Sequence, residues 1–295
     1  MTQPGALAVW SSGGYELAEG PRWLGDRLVF TDILTGTLLE APASGPGPAE
    51  VIARLSVPLG AVAPVAGSAG AWIAAAGPGI ALIGPDGTLS WLDRPEDSSA
   101  VPMRMNDGCC DPYGRFWAGS MAYDAVEGAG SLYRTGHDGT VAKVLDGLTI
   151  VNGPAFSADG SLMYVADTYA GVIYACAIDP PTGDIISSWA FAEIPPADGA
   201  PDGMTVDFSG RLWVALWDGF AVRRYREDGS VDATVAVPAQ RPTSVCIGGP
   251  GGDRLFVSTA RYGLSNPSPE AGAILSVPVD ASAPPAASFG PPAGS

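Results

Sequence analysis

Gly114-Arg115-Phe116-Trp117 is one of six versions of a single short element, a glycine followed within a few residues by an apolar and aromatic strand. The others are Gly25-Asp26-Arg27-Leu28-Val29-Phe30, Gly70-Ala71-Trp72-Ile73, Gly160-Ser161-Leu162-Met163-Tyr164, Gly210-Arg211-Leu212-Trp213 and Gly252-Asp253-Arg254-Leu255-Phe256. With Val29, Trp72, Trp117, Met163, Trp213 and Phe256 taken as equivalent, the spacings are 43, 45, 46, 50 and 43 residues. A turn dipeptide follows most copies, as Asp86-Gly87, Asp138-Gly139, Thr182-Gly183 and Asp228-Gly229. Such pairs supply the positive φ of a tight hairpin. Repeats of this length with about four strands each are propeller blades, which hide their apolar faces only by stacking on one another. The sequence therefore predicts an all-β, six-bladed β-propeller, with a first strand near residues 6–10 pairing with residues 274–279 to close the ring. One domain spans 1–280, and the Pro/Ala-rich stretch 281–295 reads as a loosely held tail.

Composition agrees with that class. The 295 residues include 40 Gly and 28 Pro spread along the chain, with no long 3.6-periodic segment between them. A net charge of −16 with only 15 Lys and Arg argues against nucleic acid as a partner, because phosphates must be met by clustered positive charge. No stretch has the length and apolarity of a membrane span, and residues 1–10 lack the features of a signal peptide, so no membrane role and a cytoplasmic location are expected. The four cysteines fit neither a disulfide framework nor a zinc spacing and read as reduced. Cys109 is expected near the site.

That site is legible from the phase of the repeat. The innermost strands of a propeller line one channel, so residues at one phase converge at one end of it. Ten or eleven residues before the markers stand Glu19, Asn106, Asn152 and Asp202, each followed by Gly or Asp-Gly. Asn-Gly and Asp-Gly are also common turn pairs, but four in phase point to a shared function at a crowded axis. Blades two and six carry Ala61-Val62 and Ser244-Val245 at this phase and supply wall. Two carboxylates and two amides without His or Cys make an oxygen-only set, suited to Ca²⁺ first and to Mg²⁺ or Mn²⁺, with Zn²⁺ and Fe²⁺ less typical. The sole histidine, His137, falls in a hairpin turn, which removes a Ser-His-Asp mechanism. Asp32 and Asp167 read as partners for blade backbone.

Over almost its full length the chain resembles the gluconolactonase, regucalcin (senescence marker protein) and luciferin-regenerating enzyme family. The resemblance rests on Glu19-Gly20-Pro21-Arg22-Trp23, Arg104-Met105-Asn106-Asp107-Gly108 with Asp111-Pro112 and Gly114-Arg115, Asn152-Gly153, Pro201-Asp202-Gly203-Met204 and Thr243-Ser244 with Gly248-Gly249. It implies Glu19, Asn152 and Asp202 as metal ligands and Arg104 and Asn106 as substrate-binding residues. It also implies hydrolysis of a sugar lactone, with the cation as Lewis acid and Asp202, or a water on the cation, as base. The chain departs from the family at Cys109, where regucalcin-type members often carry a basic residue. It departs again at Tyr123 and Asp124, where they carry acidic residues; both are expected at the rim, against the substrate. The expected partner is a small lactone, and the expected state a monomer or weak homo-oligomer. The alternatives are another hydrolase or isomerase reaction at the same site, phosphotriesterase-like or recruited into secondary metabolism, and a non-enzymatic calcium-binding propeller.

Overall fold

The computed structural model describes residues 7–291. Its strands form six antiparallel sheets of four strands each, and the only helical element among the described residues is a 3-10 turn, Pro196–Asp198. All six markers stand on the second strand of their sheet. The dipeptide glycines occupy the turns between third and fourth strands, with Gly87 at φ +80 and Gly139 at φ +81.

Ring closure takes the expected form. Ala8–Ser12 is the outermost strand of the sixth sheet and pairs antiparallel with Ala273–Pro278, Ala8 facing Ser276 and Val9 facing Leu275. Ala6 of the expected strand lies outside the described residues. The first and last strands thus share one sheet, which leaves no gap in the ring.

The apolar residues lie mainly between blades rather than in one central core. Trp117, Leu132, Val151, Met163 and Val165 fill the join of blades three and four, and Trp213, Val257 and Leu275 that of blades five and six. Trp117 and Met163 are fully buried, and a side chain so placed contributes about 1.5–3 kcal/mol. The recurring Gly-Arg-x-Trp element also has a polar anchor. Asp111 Oδ1 accepts from the N–H groups of Tyr113 and Arg115 at 2.9 and 3.0 Å, while its Oδ2 accepts from Trp117 Nε1 at 2.9 Å and pairs with Arg115 Nε at 2.6 Å. Asp207 repeats this in blade five, taking Ser209 N, Arg211 N and Trp213 Nε1. One carboxylate thus closes the turn and docks the marker tryptophan. Asp32 and Asp167 do serve backbone, accepting from Glu16 and Leu17 and from Thr149 and Ile150.

The loosely held tail is corrected as far as residue 291; residues 292–295 lie outside the described residues. Ser282 O accepts from Phe208 N of blade five. Further on, the Phe289 backbone exchanges hydrogen bonds with Pro64 and Ala66 of blade two, and Gly290 N donates to Gly114 O of blade three. Phe289 is buried among blade two and three side chains. Composition suggested looseness, but an extended Pro-rich backbone keeps free carbonyls and amides, and one aromatic ring suffices to anchor it.

Candidate active site

The six innermost strands are Ala18–Trp23, Leu59–Pro64, Met103–Cys110, Val151–Phe156, Ala200–Val206 and Pro242–Gly248. Each carries a bulge against its neighbour, falling between Glu19 and Arg22, Met105 and Gly108, Asn152 and Ala155, and Pro201 and Met204 in the four blades of interest. An extra residue resets the two-residue alternation of a strand. Side chains on both sides of the bulge can therefore face the channel. The crowding expected at the axis is present: a Cβ at Gly203 would collide with Ser244, and one at Gly60 with the Asn106 carbonyl.

The structure brings Glu19, Asn106, Asn152 and Asp202 to one end of the channel, all 3–6 % exposed. Arg104, 7 % exposed, begins a chain of hydrogen bonds through three blades. Its Nη1 donates to Asn106 Oδ1 at 2.7 Å and to Met105 O at 3.0 Å. Asn106 Nδ2 donates to Val151 O and, at 2.9 Å, to Asn152 Oδ1. Asn152 Nδ2 donates to Thr168 Oγ1 at 2.7 Å, and that hydroxyl donates to Pro201 O at 2.6 Å, beside Asp202. With its nitrogen donating to Thr168, Asn152 turns its oxygen toward Asn106, the one side-chain donor it meets among the described residues.

The carboxylates are under electrostatic load. Burial pushes the Glu19 carboxyl well above its usual range, and Asp202 and Asp107 push it further against the Gly20 N–H and Arg104. Asp202 is raised in the same way by burial and then by Asp107, with the Gly203 N–H and Arg104 opposing. Two acids held this close in a dry site call for a positive counter-charge. Among the described residues no three His, Cys, Asp or Glu side chains group closely enough to hold an ion by themselves, so any ion taken up here would need an amide oxygen as well as the carboxylates. Glu19, Asn152 and Asp202 offer the donors a hard divalent cation prefers, and the site fits such an ion.

The Arg104 guanidinium is itself under tension, because burial lowers its proton affinity while Tyr123, Glu19, Tyr262 and Asp202 hold its charge. Beyond Nη1, it makes no hydrogen bond among the described residues, which leaves donors for a ligand. Tyr123 is 52 % exposed and faces this group from the rim. Asp124 is exposed in the same turn and, among the described residues, makes no hydrogen bond to the cluster.

Cys109 is not at the mouth. It is buried toward the other end of the same strand, its Sγ on Pro154 O at 3.0 Å, and burial raises its thiol to about 12. Five residues of strand separate it from Arg104, roughly 16 Å of rise. His137 is exposed in its turn, with Nε2 on Tyr113 O.

Sequence reading missed three participants. Asp107, 6 % exposed, accepts from Gly108 N and Gly153 N and joins the acid cluster; the in-phase Asn106 drew attention from its neighbour. Thr168 and Tyr262 gave no signal, since both lie in loops that follow second strands. Replacing Thr168 by Val should weaken divalent-cation affinity about 10- to 100-fold through the loss of Asn152 orientation, with the melting temperature nearly unchanged. A calorimetric titration reads this, and an unaltered affinity would show that Asn152 is held by other means.

Residues 17–261 match the family described as SMP-30/Gluconolactonase/LRE-like region. A pentonolactonase of Haloferax volcanii is 37 % identical over 249 residues, 83 % of this chain and 81 % of that protein. Among solved structures, a calcium-binding regucalcin from Agrobacterium tumefaciens superposes with a TM-score of 0.88 at 28 % identity, covering 97 % of this chain and 98 % of the other. A luciferin-regenerating enzyme gives 0.87 at 26 % identity, over 97 % and 100 % of the two chains.

Proposed function

Since this chain belongs to the SMP-30/Gluconolactonase/LRE-like family, we propose that it is a lactonase, hydrolysing a sugar lactone to the aldonic acid with a divalent cation held by Glu19, Asn152 and Asp202. The observation that carries this reading is the pairing of two buried, mutually repelling carboxylates with an Arg104 that keeps unused donors. A bound cation would polarise the lactone carbonyl and offset the charge that grows on its oxygen. Arg104, braced by Asn106, donates to the hydroxyl oxygens of the sugar and sets the ring against the cluster. Asp202 accepts a proton from the attacking water, weakly if it shares its charge with the ion and more strongly if the carboxylate rotates free. Water oxygen adds to the carbonyl carbon, the ring C–O bond breaks, and the ring oxygen leaves as a hydroxyl carrying the proton that Asp202 took from the water. The acid then ionises and releases one proton.

Tyr123 and Asp124 at the rim would limit the size of the sugar. Glucono- and xylonolactone are the first substrates to try, and the pentonolactonase relative favours the lactone of a five-carbon sugar. Among the described residues no helix is long and apolar enough to cross a membrane, and all four cysteines are unpaired and buried, which supports placement in a reducing cytoplasm. A monomer or weak homo-oligomer completes the reading.

Proton release from these lactones, corrected for spontaneous hydrolysis, tests the proposal on metal-stripped protein before and after Ca²⁺, Mg²⁺, Mn²⁺, Zn²⁺ or Fe²⁺ is returned singly. Metal-restored turnover is expected; cation binding without turnover on any lactone would defeat the proposal. In the same assay Arg104→Gln should raise KM about 10- to 100-fold, the loss of one or two charged hydrogen bonds, while cation affinity is retained. A lost cation site in that variant would make Arg104 structural.

A further inference from the structure

Each blade ends outward in a strand whose far backbone edge meets no other strand, and proteins guard such edges by shortness, charge or proline. Five of the six are guarded. Ala8–Ser12, Glu50–Arg54 and Leu89–Asp93 are five residues long, the second with a charge at each end. Val141–Leu148 holds Lys143 and Asp146, and Val231–Ala236 is six residues long and holds Asp232, which pairs with Arg224 and Arg226. Asp184–Glu193 of blade four is ten residues long, and its residues 185–192 include neither charge nor proline. Residues 186–190 are all exposed, Ile186 at 69 % and Trp189 at 46 %. Phe191, by contrast, turns inward onto Tyr164 and Tyr225. Residues 187–190 pair in regular register with 177–174 of Val172–Asp179, and, among the described residues, the backbone of 186–190 makes no hydrogen bond outside that ladder.

Two features select a second copy of this chain as the occupant of that edge. With a net charge of −16, two copies repel over most of their surfaces and approach best where charge is absent. This strip is uncharged, and Asp184 beside it is paired with Arg134 at 3.0 Å. An antiparallel strand pair is also complementary to itself about a two-fold axis, as an isologous contact requires. We propose that Asp184–Glu193 is a dimerisation edge, pairing antiparallel with the same strand of a second copy and joining two blades into one eight-stranded sheet. An axis between Ser187 and Ser188 sets Ile186 of each copy opposite Trp189 of the other, which takes both exposed apolar side chains out of water. Outermost strands stand on the circumference of the ring, so blades three and five fall away on either side of the contact. Both mouths stay open, and they face opposite ways because the paired strands run in opposite senses.

Sedimentation velocity of the full chain over a concentration series tests this. A monomer–dimer equilibrium is expected, with a dissociation constant of roughly 10–100 µM for a contact only one strand wide. Ser188→Lys places a like charge on each side of the axis and should weaken association more than about 10-fold. Ser188→Glu should do the same, and in dilute solution both variants should melt within about 2 °C of wild type, because the position is exposed. An equimolar mixture of the two should recover the dimer, since opposite charges then meet across the axis. Wild type that stays monomeric at several times the expected dissociation constant overturns the inference. A dimer that survives both substitutions lies on another surface and overturns it as well, and so does a mixture that stays monomeric. Monomeric wild type that instead binds an added extended peptide along this strand would assign the edge to a different partner and overturn the self-pairing.

Discussion

Asp202→Asn is expected to lower kcat/KM on an aldonolactone by about 10³-fold or more and to abolish cation binding at millimolar concentration. The substitution is nearly isosteric and removes one of the two charges that face the proposed ion, together with the one base placed to take a proton from water. It should also make the cation-free protein more stable than wild type. Asp202 is buried beside Glu19 and Asp107, and each pays for the charge of the others. A neutral amide removes that repulsion. An inactive variant with a higher melting temperature separates loss of function from misfolding and follows the trade between site charge and stability. Retained turnover would remove Asp202 from the site, and a lower melting temperature in chelator would show that the carboxylate is paired in some other way.

The second large effect is on pH dependence. Glu19 and Asp202 hold their protons more tightly in the folded chain than in the unfolded one. The folded state therefore binds more protons, and by linkage its stability falls as pH rises. Their contribution is fully present below the ordinary carboxylate range near pH 4 and is lost as pH climbs through the raised values. In chelator the melting temperature should fall as pH is raised above the ordinary carboxylate range. Ca²⁺ at about a hundred times its dissociation constant should add roughly 2.7 kcal/mol, about 5–10 °C for a domain of this size. The gain should vanish toward pH 4 as protons displace the ion. Scanning fluorimetry at four pH values, with chelator and with Ca²⁺, settles it. A melting temperature that rises with pH in chelator would mean that both acids are already neutralised by groups of the chain.

How much of this could be read in advance differs from residue to residue. Glu19, Asn106, Asn152 and Asp202 were readable because every blade is the same unit. A residue's offset from the marker on the second strand fixes its height along the first, and equal heights meet at the axis. Asp107 shares that motif yet was passed over, since strict alternation turns it away from Asn106; only the bulge lets both face the channel. Cys109 was misplaced because its motif gave it a neighbourhood but no height, and the five residues of strand from Arg104 to Cys109 separate the mouth from the channel's depth.

The sequence by itself determined the number of blades, the pairing of a first strand with the last blade, and which oxygen-bearing residues share one phase of the repeat. All of these follow from a period, and a period is a one-dimensional quantity. Only the tertiary structure decided that Asn152 is oriented by Thr168, that Arg22 joins blade one to a carbonyl 86 residues away, and that the C-terminal segment walls the lower end of the channel. These contacts join different blades, and their partners are set by which side chain reaches across the axis, a distance for which linear spacing carries no measure.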